Sequence, residues 1–261
     1  KPSEIFYSTK IKSNNFFKGF SEYILQERSE FKQSKLSEDT WVISSSGDQF
    51  LLERILANSK TLGEYCYGVA KRGILTGLTE AFVIDGEKAN SIIQSNPKNK
   101  NHIYPFLLGR EIKPYLAANP SNFLIKFEKG FTKKNGMPNP EEWFKNEYPE
   151  IFNHLKEYKD KAKTRTDKGE YYWELRACDY YDKFGAPKIM YQKFQVKPCF
   201  IFDENGTYCN DSMWIIPTDD KVLLGILNSK MGWWLISKYC TAIQNGYQLI
   251  WKYFSQIPIA T

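Results

Sequence analysis

The sequence predicts an α+β fold, in which a mixed or mostly antiparallel sheet of short strands is flanked by helices. Two segments, residues 140–161 and 221–239, carry apolar residues at helical spacing and predict the main helices. Elsewhere, short β-branched and aromatic runs are separated by Gly, Pro and Asn, which is typical of strands joined by turns. With 261 residues, the chain is long enough to bury a sizeable core.

The helix signals differ in strength along the chain. Asp48 is placed to cap a helix whose apolar residues lie between positions 51 and 56. The segment 140–161 has the best helix signal of the first half, and Pro149 is expected to break or kink it. Asp219 and Asp220 precede the segment 221–239 and are predicted to cap one long helix.

The strand signals cluster around turn residues. Residues 65–70 and 81–85 are predicted strands on either side of the loop KRGILTG, where Gly73 and Gly77 allow a positive φ or the close approach of another backbone. This loop is either a tight turn or a contact for a phosphate or groove edge. Asn-Gly at positions 205–206 predicts a hairpin. The remaining predicted strands are residues 122–127, 188–193, 198–202 and 207–216.

Composition excludes several protein classes. Hydrophobic residues make up 42% and charged residues 25% of the chain, as in a folded soluble protein. The five cysteines form no CxxC pair and are odd in number, which argues against a disulfide framework and a structural zinc site and favours a cytoplasmic location. No apolar run reaches the roughly 20 residues that a membrane-spanning helix needs, so no membrane partner is expected.

Basic and aromatic residues are interleaved in the middle of the chain. Residues 161–193 contain eight Lys or Arg and seven aromatic residues, and residues 98–134 contain eight further cations against only Glu111 and Glu128. Because the formal net charge is only +6, the position of these charges matters more than their sum. The pattern suits a polyanion with stackable bases, and double-stranded DNA is the simplest such partner.

Seven segments between residues 62 and 260 resemble those of one family and follow its order. They are GILTGLTEAFVID, YPFLLGREIKPY, TRTDKG, WELRACDYYDKFGAPKIMYQ, IFDENGTYCNDSMWIIP, LLGILNSKMGWW and QIPIA. With these segments the chain resembles the TaqI-like C-terminal specificity domain of adenine-specific DNA methyltransferases and type IIG restriction-modification enzymes. The resemblance implies a target recognition domain at 61–261, preceded at 1–60 by a connector and helix from a methyltransferase domain of the same polypeptide.

The chain lacks the motifs of the chemistry that the family implies. No glycine-rich S-adenosylmethionine loop and no Asn/Asp-Pro-Pro-Tyr/Phe motif is present, and neither is a P-loop. We therefore expect no cofactor and no catalytic residue in this chain. The resemblance implies S-adenosylmethionine, adenine methylation and any DNA cleavage in the rest of the parent protein. Because the chain opens at Lys1 without a methionine, we expect a piece of a longer protein.

Candidate contacts follow from the chemistry of residues in these segments or directly beside them. Trp173 and Tyr191 are predicted packing or stacking partners. The predicted phosphate contacts are Lys71, Arg72, Lys113, Lys163, Lys168 and Lys188. The predicted base contacts are Arg110, Arg165, Arg176, Gln192, Lys193 and Asn210. For Arg110, an exposed salt bridge with Glu111 is the alternative. For Arg176 and its neighbours, the alternative is a structural ion pair and aromatic core.

Two other functions stay open. Glu150 followed by Glu157-Tyr158-Lys159 is superficially similar to the carboxylate and lysine set of magnesium-dependent nucleases, although a solvated helix face is the simpler interpretation. The basic, aromatic surface could also bind an acidic protein. Salt-dependent, sequence-selective DNA binding would distinguish recognition from both.

Overall fold

A computed structural model describes residues 4–9, 11, 19–36, 42–43, 46–116, 119–136 and 138–260. These residues fall into two compact units, one from residues 1–67 with 230–261 and one from residues 68–229. Among the described residues, none of the helices combines the length and the apolarity that crossing a membrane requires. The predicted domain boundary at residue 60 stays a prediction.

The α-helices are short and spread along the whole chain. In chain order they are α1 (Phe20–Glu27), α2 (Ser46–Leu56), α3 (Leu62–Tyr65), α4 (Thr79–Phe82), α5 (Gly86–Ser95), α6 (Phe131–Lys134), α7 (Pro140–Glu147), α8 (Pro149–Lys156), α9 (Lys159–Thr164), α10 (Lys221–Asn228), α11 (Lys230–Tyr239) and α12 (Trp251–Phe254). Short 3-10 turns lie at Gln33–Lys35, Pro97–His102, Gly109–Glu111 and Tyr181–Phe184.

The strands are equally short. They are β1 (Ile5–Ser8), β2 (Ser29–Lys32), β3 (Ser59–Thr61), β4 (Lys71–Arg72), β5 (Val83–Asp85), β6 (Ile103–Leu107), β7 (Asn122–Ile125), β8 (Lys188–Gln192), β9 (Phe194–Gln195), β10 (Phe200–Asp203), β11 (Tyr208–Cys209), β12 (Met213–Pro217), β13 (Thr241–Ile243), β14 (Gly246–Gln248) and β15 (Pro258–Ala260).

The unit at residues 68–229 is built on two four-stranded sheets. The first has the order β10-β8-β12-β4 and is antiparallel throughout. The second has the order β11-β6-β7-β5 and is mixed, because β11 runs parallel to β6 while the other pairs are antiparallel. Together with the helices, this arrangement confirms the predicted α+β class.

One hydrophobic core connects both sheets of this unit. Its fully buried members come from sheet strands, from α4, α5, α7 and α8, from the turn Tyr181–Phe184, and from the irregular segments around Phe127 and Trp173. His154 on α8 lies in this core and its Nε2 is 3.0 Å from the carbonyl oxygen of Ala81, while desolvation by burial lowers its pKa. It is an ordinary buried helix residue.

The unit formed by the two ends of the chain is held by short antiparallel pairs. These are β1 with β2, β3 with β15, and the hairpin of β13 and β14. A capping box joins Thr61 and Glu64 at the start of α3. The prediction that Asp48 caps its helix is wrong, because α2 begins at Ser46 and the Asp48 carboxylate pairs with Lys238 and accepts from Trp234 Nε1.

Both predicted long helices are divided. Residues 140–161 lie in three helices, because α9 begins at Lys159 after a second break. Pro149 accounts for the first break, since it has no N–H to continue α7 and instead occupies the first position of α8. Residues 221–239 form two helices, because the backbone of Ser229 is extended. At this break the Asn228 side chain accepts from the Phe200 N–H and donates to the Phe200 carbonyl oxygen. Asp220 caps α10 as predicted, accepting from the N–H groups of Val222 and Leu223.

Several strand predictions need correction. Residues 65–70 are not a strand, since Tyr67 has φ 49°, and residues 79–82 are helical, which leaves only Val83–Asp85 extended. The hairpin predicted at Asn-Gly is wrong: Gly206 has a positive φ, but β10 and β12 both pair with β8 instead of with each other. The turn is stabilised by Asp203, whose carboxylate accepts from the backbone and hydroxyl of Thr207.

A buried ion pair lies between β8 and β10. The Lys188 ammonium donates to the Asp203 carboxylate at 2.6 Å and to the Phe184 carbonyl oxygen at 2.6 Å, and both charged side chains have no exposed area. With Thr207 also donating, the carboxylate is fully hydrogen-bonded. Removal of one partner of such a pair would leave the other charge buried and unpaired, which is strongly destabilising.

We expect Lys188→Met to lower the free energy of unfolding by about 3–5 kcal/mol, because it leaves the Asp203 carboxylate without its cation. Urea denaturation measures this change. Lys183→Met is the matched control, since Lys183 pairs with Asp182 on the exposed surface and its loss costs at most about 1 kcal/mol. Equal losses in the two variants would contradict the structural role of the buried pair.

Candidate nucleic-acid interface

Polar side chains gather where strand β12 begins. Met213, the first residue of β12, pairs with Gln192 on β8, and the next residue, Trp214, pairs with Arg72 on β4. β12 lies between β4 and β8, and both pairs are at its start. Gln192, Arg72 and the loop 210–212 therefore lie at the same end of the strands, which forms one edge of the first sheet. The structure therefore brings together residues that are distant in sequence.

Gly73 fixes the loop 210–212 through backbone contact. A Cβ atom on Gly73 would lie 1.9 Å from the carbonyl oxygen of Asn210, so only glycine fits. The Gly73 N–H donates to Met213 O at 2.8 Å, and the Ile74 N–H donates to Cys209 O at 2.7 Å. The predicted close approach of another backbone at Gly73 is confirmed, and so is the positive φ at Gly77, which is 67°.

The turn Gly109–Glu111 is the third element at this edge. A Cβ on Gly109 would lie 2.9 Å from Gln192 Nε2 and 3.0 Å from Ser212 Oγ, so the turn packs directly on both side chains. The Glu111 carboxylate accepts from Leu108 N at 2.7 Å and from Asn122 Nδ2 at 2.9 Å. These bonds fix the turn and leave the Arg110 side chain exposed.

We call this surface the polar edge. Arg110 forms no salt bridge within the part of the chain that the structure describes, and Glu111 instead braces the backbone. Ser212 Oγ donates to Asn210 Oδ1 at 2.8 Å, and Lys193 follows Gln192 in the chain. The members of the polar edge are Arg72, Arg110, Gln192, Lys193, Asn210, Asp211 and Ser212.

A cleft of about 210 Å³ lies beside the polar edge. It is lined by residues 72–75 and 176–181, so it brings Arg72 and Arg176 together. Arg176 Nη1 is 3.2 Å from the Asp167 carboxylate and keeps about half of its side chain exposed. The Lys71 ammonium lies 5.4 Å from the Tyr180 ring centroid. Desolvation by burial raises the pKa of Tyr180 to about 12, so its hydroxyl stays a hydrogen-bond donor.

The other predicted cations are more dispersed. Lys113 is exposed two residues beyond the turn that carries Glu111. Lys163 and Lys168 are exposed and line a different cleft of about 300 Å³ next to Tyr171, and the Lys168 ammonium donates to the Lys163 carbonyl oxygen.

Two predicted DNA contacts are buried and are therefore wrong. Lys188 has no exposed area and is bound to Asp203, so it cannot reach a phosphate. Arg165 is 7% exposed, donates to the carbonyl oxygen of Glu174 and lies 4.0 Å from the Phe82 ring centroid. Desolvation by burial lowers the Arg165 pKa to about 10. Arg165 therefore belongs to the core and not to a reading surface.

The two predicted aromatic partners pack inside the unit. Trp173 is 1% exposed and stacks against Phe144 and Tyr171, with centroids 4.7 and 4.9 Å away. Its indole N–H donates to Thr132 Oγ1 at 2.9 Å. Tyr191 has no exposed area. Neither ring is available for stacking on a base.

Glu174 is an organising residue that the sequence analysis missed. Its buried carboxyl group accepts from the N–H groups of Gly130, Thr132 and Glu170, at 3.1, 2.9 and 2.9 Å. A Cβ on Gly169 would lie 2.5 Å from Glu174 Cβ, so TDKG packs tightly on this side chain. A glutamate inside the aromatic and apolar run YYWEL is the signal that could have revealed it.

The carboxylates that the structure describes outside the polar edge form no recognisable metal centre. Among the described residues, no group of three or more His, Cys, Asp or Glu side chains could hold a metal ion. Glu150 lies on α8, and Glu157 follows the end of that helix. The Lys159 ammonium pairs with Glu141 and lies 5.5 Å from the Tyr172 ring centroid.

We expect Glu174→Ala to release the segment 130–134, because three backbone N–H groups lose their acceptor. Amide hydrogen exchange at Gly130, Thr132 and Glu170 should accelerate, and the free energy of unfolding should fall by about 3 kcal/mol. Glu170→Ala is the control, since the exposed Glu170 side chain takes no part in this network. Unchanged exchange at Gly130 and Thr132 would contradict the assignment.

The chain is similar to known proteins both in sequence and in fold. The family described as the TaqI-like C-terminal specificity domain matches residues 104–259, more than half of the chain. A solved structure with a similar fold is the type IIL restriction-modification enzyme MmeI in complex with DNA, with TM-score 0.50 and 12% sequence identity. The similarity covers 72% of this chain but only 24% of that chain. No curated protein matches by sequence. The chain belongs to the family of TaqI-like C-terminal specificity domains.

Proposed function

We propose that this chain is the DNA-recognition domain of a restriction-modification enzyme and binds a specific sequence in double-stranded DNA. The observation that carries the proposal is the polar edge. Three elements distant in sequence place Arg110, Gln192 and Asn210 on one surface. Family membership and the fold shared with MmeI support the same conclusion.

The chemistry of the polar edge suits base reading in the major groove. Gln and Asn each offer one donor and one acceptor, which matches the N6 and N7 positions of adenine. Arg110 can donate two parallel hydrogen bonds to guanine O6 and N7. The side chains of Gln192, Lys193 and Asn210 are half-buried, so they are partly fixed before DNA arrives.

Backbone contacts are assigned to cations around the polar edge. Lys71 and Lys113 flank it in sequence, and Lys113 is exposed while Lys71 is half-buried. Arg176 lies in the neighbouring cleft with Arg72. Lys163 and Lys168, beside the second cleft, would contact more distant phosphates. Such contacts position the domain without selecting a sequence.

We also propose that the parent protein methylates adenine at N6. In this assignment, residues 61–261 form the specificity domain and residues 1–60 connect it to a preceding methyltransferase domain that binds S-adenosylmethionine. The support is the resemblance of this chain to the TaqI-like C-terminal specificity domain. Finding an Asn/Asp-Pro-Pro-Tyr/Phe motif in the parent sequence, and adenine methylation by that protein, would test it.

We expect the chain to enrich one sequence from a pool of random duplexes, and its affinity to fall linearly in log K against log salt. Arg110→Ala should weaken binding to the enriched duplex by about 1–3 kcal/mol relative to scrambled DNA, because one base contact is lost. Fluorescence anisotropy measures both affinities.

Lys221→Ala is the control for this experiment, since it also removes an exposed positive charge. Lys221 pairs with Glu204, which follows the end of β10 that pairs with Lys188, at the opposite end of β8 from Gln192. Absence of enrichment by the wild-type chain would contradict the proposed function. Magnesium-dependent cleavage that is lost in Glu157→Ala would instead favour a nuclease.

A further inference from the structure

Arg72 and Asp211 form a two-point contact at the polar edge. Arg72 Nη2 donates to Asp211 Oδ2 at 2.8 Å, and Arg72 Nε donates to the Asp211 carbonyl oxygen at 3.3 Å. One edge of the guanidinium is thus engaged, and its plane is fixed relative to the loop 210–212. Within the described part of the chain, Arg72 Nη1 and Asp211 Oδ1 have no hydrogen-bond partner.

The backbone beneath this pair is rigidly held. The contact of Gly73 with Asn210 and the bonds from Gly73 and Ile74 fix both segments against each other. The fold therefore does not need the ion pair as a brace. Its side chains are 46% and 42% exposed, and ion pairs that exposed contribute little to stability.

The charge of the pair argues against a simple phosphate contact. Arg72 and Asp211 together carry no net charge, so they add little to the attraction for the DNA backbone. An exposed carboxylate on a DNA-binding surface is repelled by phosphates unless it accepts from a base donor. Such a group lowers affinity for most sequences and so selects the one that satisfies it.

We propose that Arg72 and Asp211 act together as a reader of one guanine–cytosine base pair, an inference that rests on the proposed function. In the major groove this pair offers two acceptors, guanine N7 and O6, beside one donor, cytosine N4. The guanidinium supplies donors and the carboxylate supplies an acceptor, so the two patterns match. In an adenine–thymine pair the donor, adenine N6, lies between two acceptors, adenine N7 and thymine O4. A carboxylate placed to accept from cytosine N4 would then face the acceptor thymine O4.

Site selection from random duplexes with the full 261-residue chain tests this proposal. Asp211→Asn should lose about tenfold preference for guanine–cytosine at one position, because the amide can both donate and accept. Arg72→Lys keeps the charge but loses the planar fork, and it should lose preference at the same position. Preferences at the other positions should persist in both variants.

Glu204→Gln is the matched control, because it removes one exposed carboxylate that is also paired, with Lys221. It should leave every positional preference unchanged. Circular dichroism establishes that each variant folds, and the two variants report on the same position independently.

The outcomes separate the two levels of the proposal. If both variants keep the wild-type preference at every position, the reader assignment is overturned while the DNA-recognition function stands. A third variant, Arg72→Gln, removes the charge. If it only lowers the slope of log K against log salt by about one and keeps every positional preference, Arg72 is a phosphate contact and the assignment is also overturned. If the wild-type chain enriches no sequence, both the function and the assignment are overturned.

Discussion

The close backbone approach of Gly73 to Asn210 is the constraint on which the polar edge depends. At this point the first sheet, through β4 and β12, meets the second sheet, through β11 and its neighbour β6. The Asn210 N–H donates to Leu107 O at 3.2 Å, so the same loop is tied to the end of β6 just before the turn that carries Arg110. A single side chain at position 73 would separate these elements.

Much of this arrangement could be predicted from local chemistry. The glycines of KRGILTG and the cap at Asp220 are residue types with known backbone preferences. The α+β class followed from the spacing of apolar residues. These features depend on a residue and its near neighbours, so the sequence carries them directly.

The wrong predictions share a physical cause, which is that burial depends on partners far away in the chain. Arg165 was assigned to DNA because it lies in a basic stretch, but its location is decided by Phe82 and Glu174. The same reasoning predicts a DNA contact for Lys188, but its ion pair with Asp203 lies in the core. The cations and aromatic rings of residues 161–193 therefore have two different locations. Most of the rings and two of the cations are buried in the core, and the other cations lie at the surface.

The polar edge rests on main-chain hydrogen bonds and on the backbone contact at Gly73, whereas its two exposed arginines, Arg72 and Arg110, contribute little to packing. Scaffold and chemical pattern are therefore largely independent at these two positions. Substitutions at the outward-facing positions can change which ligand the surface binds without unfolding the sheet and loops that carry it. That independence makes the fold evolvable, because new preferences can arise by point mutation on an unchanged frame.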